Sequence, residues 1–119
     1  MCKFNESLHT KKTPFLNKSF ILVNKFYYAG SDYIPANLEE VSSNYARDGT
    51  RLVSYAKDAF EAMAKDARKQ DLNIVGMSGY RSYKYQINLY NKYVESDGKD
   101  AADSYSARPG YSEHQTGLA

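Results

Sequence analysis

Across residues 52–70 the apolar positions Leu52, Ala56, Ala59, Phe60, Met63 and Ala67 fall three and four apart, which lays one stripe down a helix. Lys57, Asp58, Glu61, Lys65, Asp66 and Arg68 occupy its other side. They read as a solvated face, with Glu61 and Lys65 at the favourable four-residue spacing. A second set, Tyr83, Ile87, Tyr90 and Val94, repeats the helical period and stops at Asp97-Gly98, where glycine suits a helix end. Between these helices residues 72–78 read as a strand that Gly79 breaks. Residues 20–23 form a shorter apolar run whose β-branched members favour a strand, and residues 24–35, with Gly30, Ser31, Asp32 and Pro35, read as a loop. Residues 1–19 are polar and carry no sustained period, so a flexible N-terminal arm is expected there. Residues 20–119 read as one unit without an internal linker, repeat or low-complexity segment.

Past Gly98 the pattern changes. Residues 99–104 have room for a single helical turn, and Arg108-Pro109-Gly110 has the composition of a type II turn, with proline presetting φ and glycine taking the positive φ that follows. Residues 104–119 show no apolar period, yet they concentrate Arg108, Ser112, Glu113 and His114. Such a segment presents polar groups from a rigid loop rather than burying a core face. Arg81 and Ser82 fall at the junction between the predicted strand and the second helix, and Gln86 lies about one turn beyond Ser82. Rigid elements would hold these side chains at the edge of a cleft.

Composition narrows the classes. A chain of 119 residues makes one domain, and 16 basic against 14 acidic residues give a net charge of +2. That balance lacks the electrostatic footprint of a nucleic-acid partner. No apolar run approaches the length of a membrane span, so a soluble, globular chain is expected. One cysteine, Cys2, excludes an internal disulfide framework and a cysteine zinc cage, and it reads as a free terminal thiol. No signal peptide precedes it. His9 sits in the polar arm and reads as solvated. Tyrosine is over-used, with 12 Tyr against 5 Phe and no Trp. Tyrosine suits both the half-buried side of a helix and a carbohydrate or peptide groove.

Several separate motifs stand in one order: Ser78-Gly79-Tyr80-Arg81-Ser82, Gln86, Leu89-Tyr90, Tyr105-Ser106-Ala107-Arg108-Pro109-Gly110, and Ser112-Glu113-His114-Gln115-Thr116-Gly117. Together with Leu22-Val23-Asn24-Lys25 and Tyr33-Ile34-Pro35 near the front, this series resembles the zinc D-alanyl-D-alanine carboxypeptidases of the VanY type. The resemblance implies an α+β fold with helices packed on a small antiparallel sheet, hedgehog/D,D-peptidase-like, of which residues 20–119 are the truncated front part. It implies hydrolytic removal of a C-terminal D-alanine from peptidoglycan stem peptides at a zinc ion, and action outside the cytoplasm at the cell wall or surface. In such a site zinc acidifies a bound water and polarises the scissile carbonyl while a glutamate takes the proton.

By the same resemblance His114 matches the first zinc ligand, the His of Ser-x-His-x-x-Gly-x-Ala-x-Asp. The Asp of that motif falls two residues past Ala119, and the Glu-x-x-His element with the general base falls further on. The chain as written is therefore expected to be inactive by itself. Taken alone, His114 reads more readily as an ordinary loop histidine, because one histidine specifies no metal. Arg81 is the leading substrate residue, since a guanidinium binds a terminal carboxylate or an oxyanion through paired hydrogen bonds; the competing role is a structural fork holding the turn. Gln86 and Ser112 match positions near the substrate and would hydrogen-bond its terminal carboxylate or amide. Arg108 braces the Pro-Gly turn, Tyr105 and Ser106 have equal claims to structure and to groove lining, and Glu113 orients the loop or meets solvent. Loss of the strands that would cover one core face points to a paired or swapped homo-oligomer. Two alternatives stand beside the D,D-carboxypeptidase: a non-catalytic module that binds stem peptides, and an L,D-carboxypeptidase.

Overall fold

The computed structural model describes residues 11–13, 15–17 and 20–119. Within them six short strands precede or flank three helices: β1 (Lys11–Lys12), β2 (Phe15–Asn17), β3 (Phe20–Ile21), β4 (Tyr27–Tyr28), β5 (Leu38–Glu40), β6 (Arg51–Val53), α1 (Ser54–Arg68), α2 (Tyr83–Asp97) and α3 (Lys99–Tyr105), with a 3-10 turn at Glu113–Thr116. The class is mixed α and β with small sheets, as expected. The described strands form three two-stranded ladders, β1 with β4 parallel, β2 with β3 antiparallel and β5 with β6 antiparallel. Of the expected arm, residues 1–10, with Cys2 and His9, lie outside the described residues, while Lys11–Lys12 pair with Tyr27–Tyr28. That pairing also places a strand inside the segment 24–35 read as loop. Two-residue strands are too short to show a period in sequence.

The chain forms two units, one from the residues up to Ile34 together with Arg81–Thr116, the other from Pro35–Tyr80 and Gly117–Ala119. In the second unit β5 and β6 pair Leu38 with Val53 and Glu40 with Arg51, and α1 follows β6 directly. Val41, Ala46 and Leu52 are buried at its centre, with Ala56 and Phe60 of α1 packed on them. The predicted stripe is rotated slightly from expectation. Ala64 and Ala67 are buried and Met63 is exposed, while Leu52 belongs to β6. Glu61 does not serve a solvated face; its carboxylate accepts the Ser42 backbone N–H at 2.8 Å. The charged residues of α1 instead pair as Lys57 with Glu39 at 3.1 Å and Asp66 with Lys69 at 2.8 Å.

Residues 72–78 do not form a strand. Gly76 makes one parallel bridge to Ala46, and Leu72, Val75 and Met77 are exposed. The run has the composition of a buried strand, but a ladder needs a continuous partner edge, which the described residues supply at one position only. Gly79 follows with its backbone against Arg51: a Cβ there would lie 2.3 Å from the Arg51 carbonyl oxygen. Only glycine fits that approach, and the Tyr80 N–H then donates to the same carbonyl at 2.7 Å.

Candidate functional site

The first unit builds its cleft from α2, the α3 end and the 3-10 turn. Helix α2 begins where Ser82, in an extended conformation, accepts the Tyr85 N–H on its hydroxyl at 3.0 Å. This N-cap satisfies one of the unpaired donors of the first turn. Gln86 and Tyr90 then lie four residues apart and are the buried residues of the helix. The same side carries Leu89 and Tyr93, as the helical period requires.

A carboxylate inside the unit organises the next segment. Asp103 of α3 is 6% exposed and accepts three hydrogen bonds: from the Tyr90 hydroxyl at 2.6 Å, and from Arg108 Nε at 3.0 Å and Nη2 at 2.9 Å. The Arg108 fork holds the Asp103 carboxyl below the usual carboxylate range, with help from the Tyr90 hydroxyl and against the push of burial. Burial, reinforced by that carboxylate, pushes the Tyr90 phenol up. With Arg108 fixed, the chain turns through Pro109 and Gly110. Tyr111 N–H donates to the Arg108 carbonyl at 2.9 Å and Gly110 has φ +87°, the type II turn anticipated from sequence.

After the turn Ser112 is buried and caps the 3-10 turn, accepting the His114 N–H on its hydroxyl at 3.3 Å and the Gln115 N–H on its carbonyl at 3.1 Å. Gln115 is a brace, donating to the carbonyls of Gly30 at 2.7 Å and Tyr33 at 3.1 Å. The His114 carbonyl accepts the Arg81 N–H at 3.0 Å. That single backbone bond places Arg81 and His114 side by side although 33 positions separate them in sequence (114 − 81).

The result is a cleft of about 360 Å³ lined by Arg81, Gln86, Ser112, Glu113, His114 and the Tyr93–Tyr105 pair among others. All four residues expected to carry the chemistry, Arg81, Gln86, Ser112 and His114, share it. Glu113 faces it as well. Tyr105 is placed as a wall: its ring meets Tyr93 edge-on at 5.1 Å and its hydroxyl donates to Asp97 at 2.6 Å. That bond pushes the Tyr105 phenol up to about 12 and lowers the Asp97 carboxyl. Asp103 was not singled out from sequence, because nothing local marks a buried carboxylate; its spacing of five from Arg108 was the available signal. Tyr93 was legible as Gln86 plus seven on one helical face.

A cleft of this composition offers a guanidinium for an anion, hydroxyl and amide groups for orientation, and one imidazole. The sequence profile of VanY, D-alanyl-D-alanine carboxypeptidase, matches residues 49–119. The chain belongs to the VanY family. The Bacillus subtilis protein YodJ is 35% identical over an alignment of 124 positions that takes in 96% of this chain and 42% of YodJ. Among solved structures, the LdcB LD-carboxypeptidase is 33% identical with a TM-score of 0.73, over 81% of this chain and 47% of that one. A variant of the vancomycin-resistance D,D-pentapeptidase VanY, solved with Zn(II), is 28% identical with a TM-score of 0.64, over 86% and 59%. The chain thus spans about two-fifths of the length of its curated VanY-family relatives. The family match takes in Arg81, Gln86, Ser112 and His114.

Proposed function

We propose that this VanY-family chain supplies the substrate-recognition cleft of a carboxypeptidase that removes a C-terminal D-alanine from peptidoglycan stem peptides. The observation that carries the reading is the convergence of Arg81, Gln86, Ser112 and His114 on one cleft. At about 360 Å³ it lies near the small end of ligand sites, which run from about 300 to 1,000 Å³. That size suits the end of a peptide rather than a long stretch of it. Arg81 takes the terminal carboxylate through paired hydrogen bonds. The Ser112 hydroxyl, whose oxygen already accepts from His114, keeps its O–H to donate toward the same end of the ligand. Tyr93 and Tyr105 exclude water along one wall. Residues 20–119 form the front part of the domain in this reading, and the site of action is the cell wall, outside the cytoplasm. Among the described residues no helix is long and apolar enough to cross a membrane.

Zinc belongs to this reading through the Zn(II)-bound VanY relative. The residues described here do not by themselves fit it: no three His, Cys, Asp or Glu side chains among them gather to hold a metal ion. A catalytic zinc takes three protein ligands, and His114 would be one of them. What the described residues do is bind and orient the peptide.

The family match favours the D,D bond, and the likeness to LdcB, an LD-carboxypeptidase, supports a second reading in which the L,D bond is cut. Stem pentapeptide and stem tetrapeptide, each titrated into the protein, separate them. Tighter binding of the pentapeptide supports the D,D reading, and tighter binding of the tetrapeptide replaces it with the L,D reading. Binding of neither peptide would defeat the proposal.

A further inference from the structure

The first unit holds a second groove, of about 280 Å³, whose lining shares no residue with the Arg81 cleft. Tyr28, Tyr83 and Tyr111 are its large side chains, with Gly110 among them. A Cβ on Gly110 would meet the Tyr83 ring at 3.3 Å and the Tyr28 Cβ at 4.0 Å. The Gly110 carbonyl accepts the Ala29 N–H at 2.8 Å. The backbone of the Pro-Gly turn is therefore held against two of the three tyrosines. The Tyr28 and Tyr111 rings stand 5.7 Å apart with 56° between their planes, so they make a corner rather than a stack.

The hydroxyls of Tyr90 and Tyr105 serve the fold by donating to Asp103 and Asp97. The groove tyrosines differ. All three are half-buried, and among the described residues the Tyr28 and Tyr83 hydroxyls make no hydrogen bond. Among the described residues no charged side chain lines the groove; beside Gly30, Lys12 and Asp32 bring one charge of each sign. The Arg81 cleft, by contrast, holds Arg81, Glu113 and His114. Such a groove selects an uncharged ligand with apolar faces and a polar edge, because a tyrosine pairs an apolar ring with a polar tip. A pyranose has that division, with C–H bonds above and below the ring and hydroxyl and N-acetyl groups around it. An anion would meet no cation in the lining, and a purely apolar group would leave the hydroxyls unused.

From this geometry we infer that the tyrosine groove is a sugar-binding subsite, which seats the N-acetylhexosamine that carries the stem peptide. This inference rests on the proposed function for its substrate class. The two sites adjoin along the chain: Tyr111 directly precedes Ser112 of the cleft, and Tyr83 stands two residues after Arg81. A five-residue stem spans up to about 16–18 Å when extended, a length that covers the step between sites built on neighbouring residues. The volume lies at the lower end of ligand sites, which suits one sugar ring rather than a length of glycan strand. The protein would thereby distinguish a stem peptide still attached to its sugar from a released one.

The test titrates the chain with two ligands that differ only in the sugar. One is N-acetylated stem pentapeptide; the other is the same pentapeptide joined through its N-terminus to the lactyl group of N-acetylmuramic acid, whose carboxyl is thereby neutral. The sugar-bearing ligand should bind at least about fivefold more tightly, the scale of one aromatic contact. Tyr28→Ala and Tyr83→Ala should each remove most of that gain and bind the acetylated pentapeptide as the unaltered protein does. Arg81→Ala should weaken both ligands by the same factor and keep the ratio between them. Equal binding of the two ligands to the unaltered protein would overturn the inference while leaving the proposed function standing, and that result needs no variant to fold. A gain that survives in both folded tyrosine variants would put the sugar elsewhere and overturn it equally. Binding of neither ligand would overturn the proposed function, and the inference with it.

Discussion

Replacing Asp103 by Asn tests the buried network that shapes the cleft. The carboxylate accepts from Tyr90 at 2.6 Å and from Arg108 at 3.0 and 2.9 Å. Its side chain is 8% exposed and that of Arg108 16%, so solvent screens the pair weakly. Asparagine keeps one acceptor oxygen and turns the other position into an NH₂ group that faces an Arg108 N–H, donor against donor. Breaking a buried ion pair by removing one partner costs about 3–5 kcal/mol. The slight wetness of Arg108 puts this site at the lower end, about 3 kcal/mol. With a urea dependence of about 1–2 kcal/mol per molar, the unfolding midpoint should fall by about 2 M. Linkage gives a second signature. The folded-state pKa of Asp103 is depressed, so its contribution is present above the unfolded value of about 3.9 and is lost as pH falls through the folded value. The gap between the parent chain and Asp103→Asn should therefore close below about pH 4. A stability within about 0.5 kcal/mol of the parent, the range of an ordinary surface change, would refute the reasoning, as would a gap that stays constant into acid.

Two further outcomes follow from single contacts. The Tyr105 phenol, pushed up to about 12 by Asp97, should be among the last tyrosines to ionise; its stabilising effect holds below about pH 10 and disappears as pH rises through the folded value. Asp97→Asn should return it toward about 10, read by tyrosinate absorbance, and an unchanged titration would remove the contact from the account. Gly79→Ala places a methyl 2.3 Å from the Arg51 carbonyl oxygen and should cost at least about 2–3 kcal/mol, measured as a fall in Tm; a neutral effect would show that the backbone there yields freely.

How much of this was legible in the sequence depends on the kind of signal. Helix α2 and the Pro109-Gly110 turn were readable because period and turn chemistry are local properties, and both elements stand within a residue or two of expectation. Helix α1 was also placed, but Leu52 at its front belongs to a strand, since an apolar residue at helical spacing fits either element at a boundary. The strand expected at residues 72–78 failed for the opposite reason. Its composition is local, whereas a ladder depends on a partner that only tertiary structure supplies. The cleft residues Arg81, Gln86, Ser112 and His114 were named from their motifs, yet the sequence had no means of showing which edge of the Gln86 amide is engaged. That edge is set by the Ala107 carbonyl, to which the amide nitrogen donates at 2.8 Å across 21 positions of sequence. The motif residue Gln115 likewise turned out to brace the loop at Gly30 and Tyr33.

The central claim is that the Arg81 cleft receives a carboxylate-terminated D-alanyl peptide, and NMR titration of the isotopically labelled chain with D-alanyl-D-alanine tests it most directly. Saturable shifts should centre on the Arg81, Gln86, Ser112 and His114 signals and vanish in Arg81→Ala. Shifts that gather elsewhere, or that persist in folded Arg81→Ala, would contradict the claim.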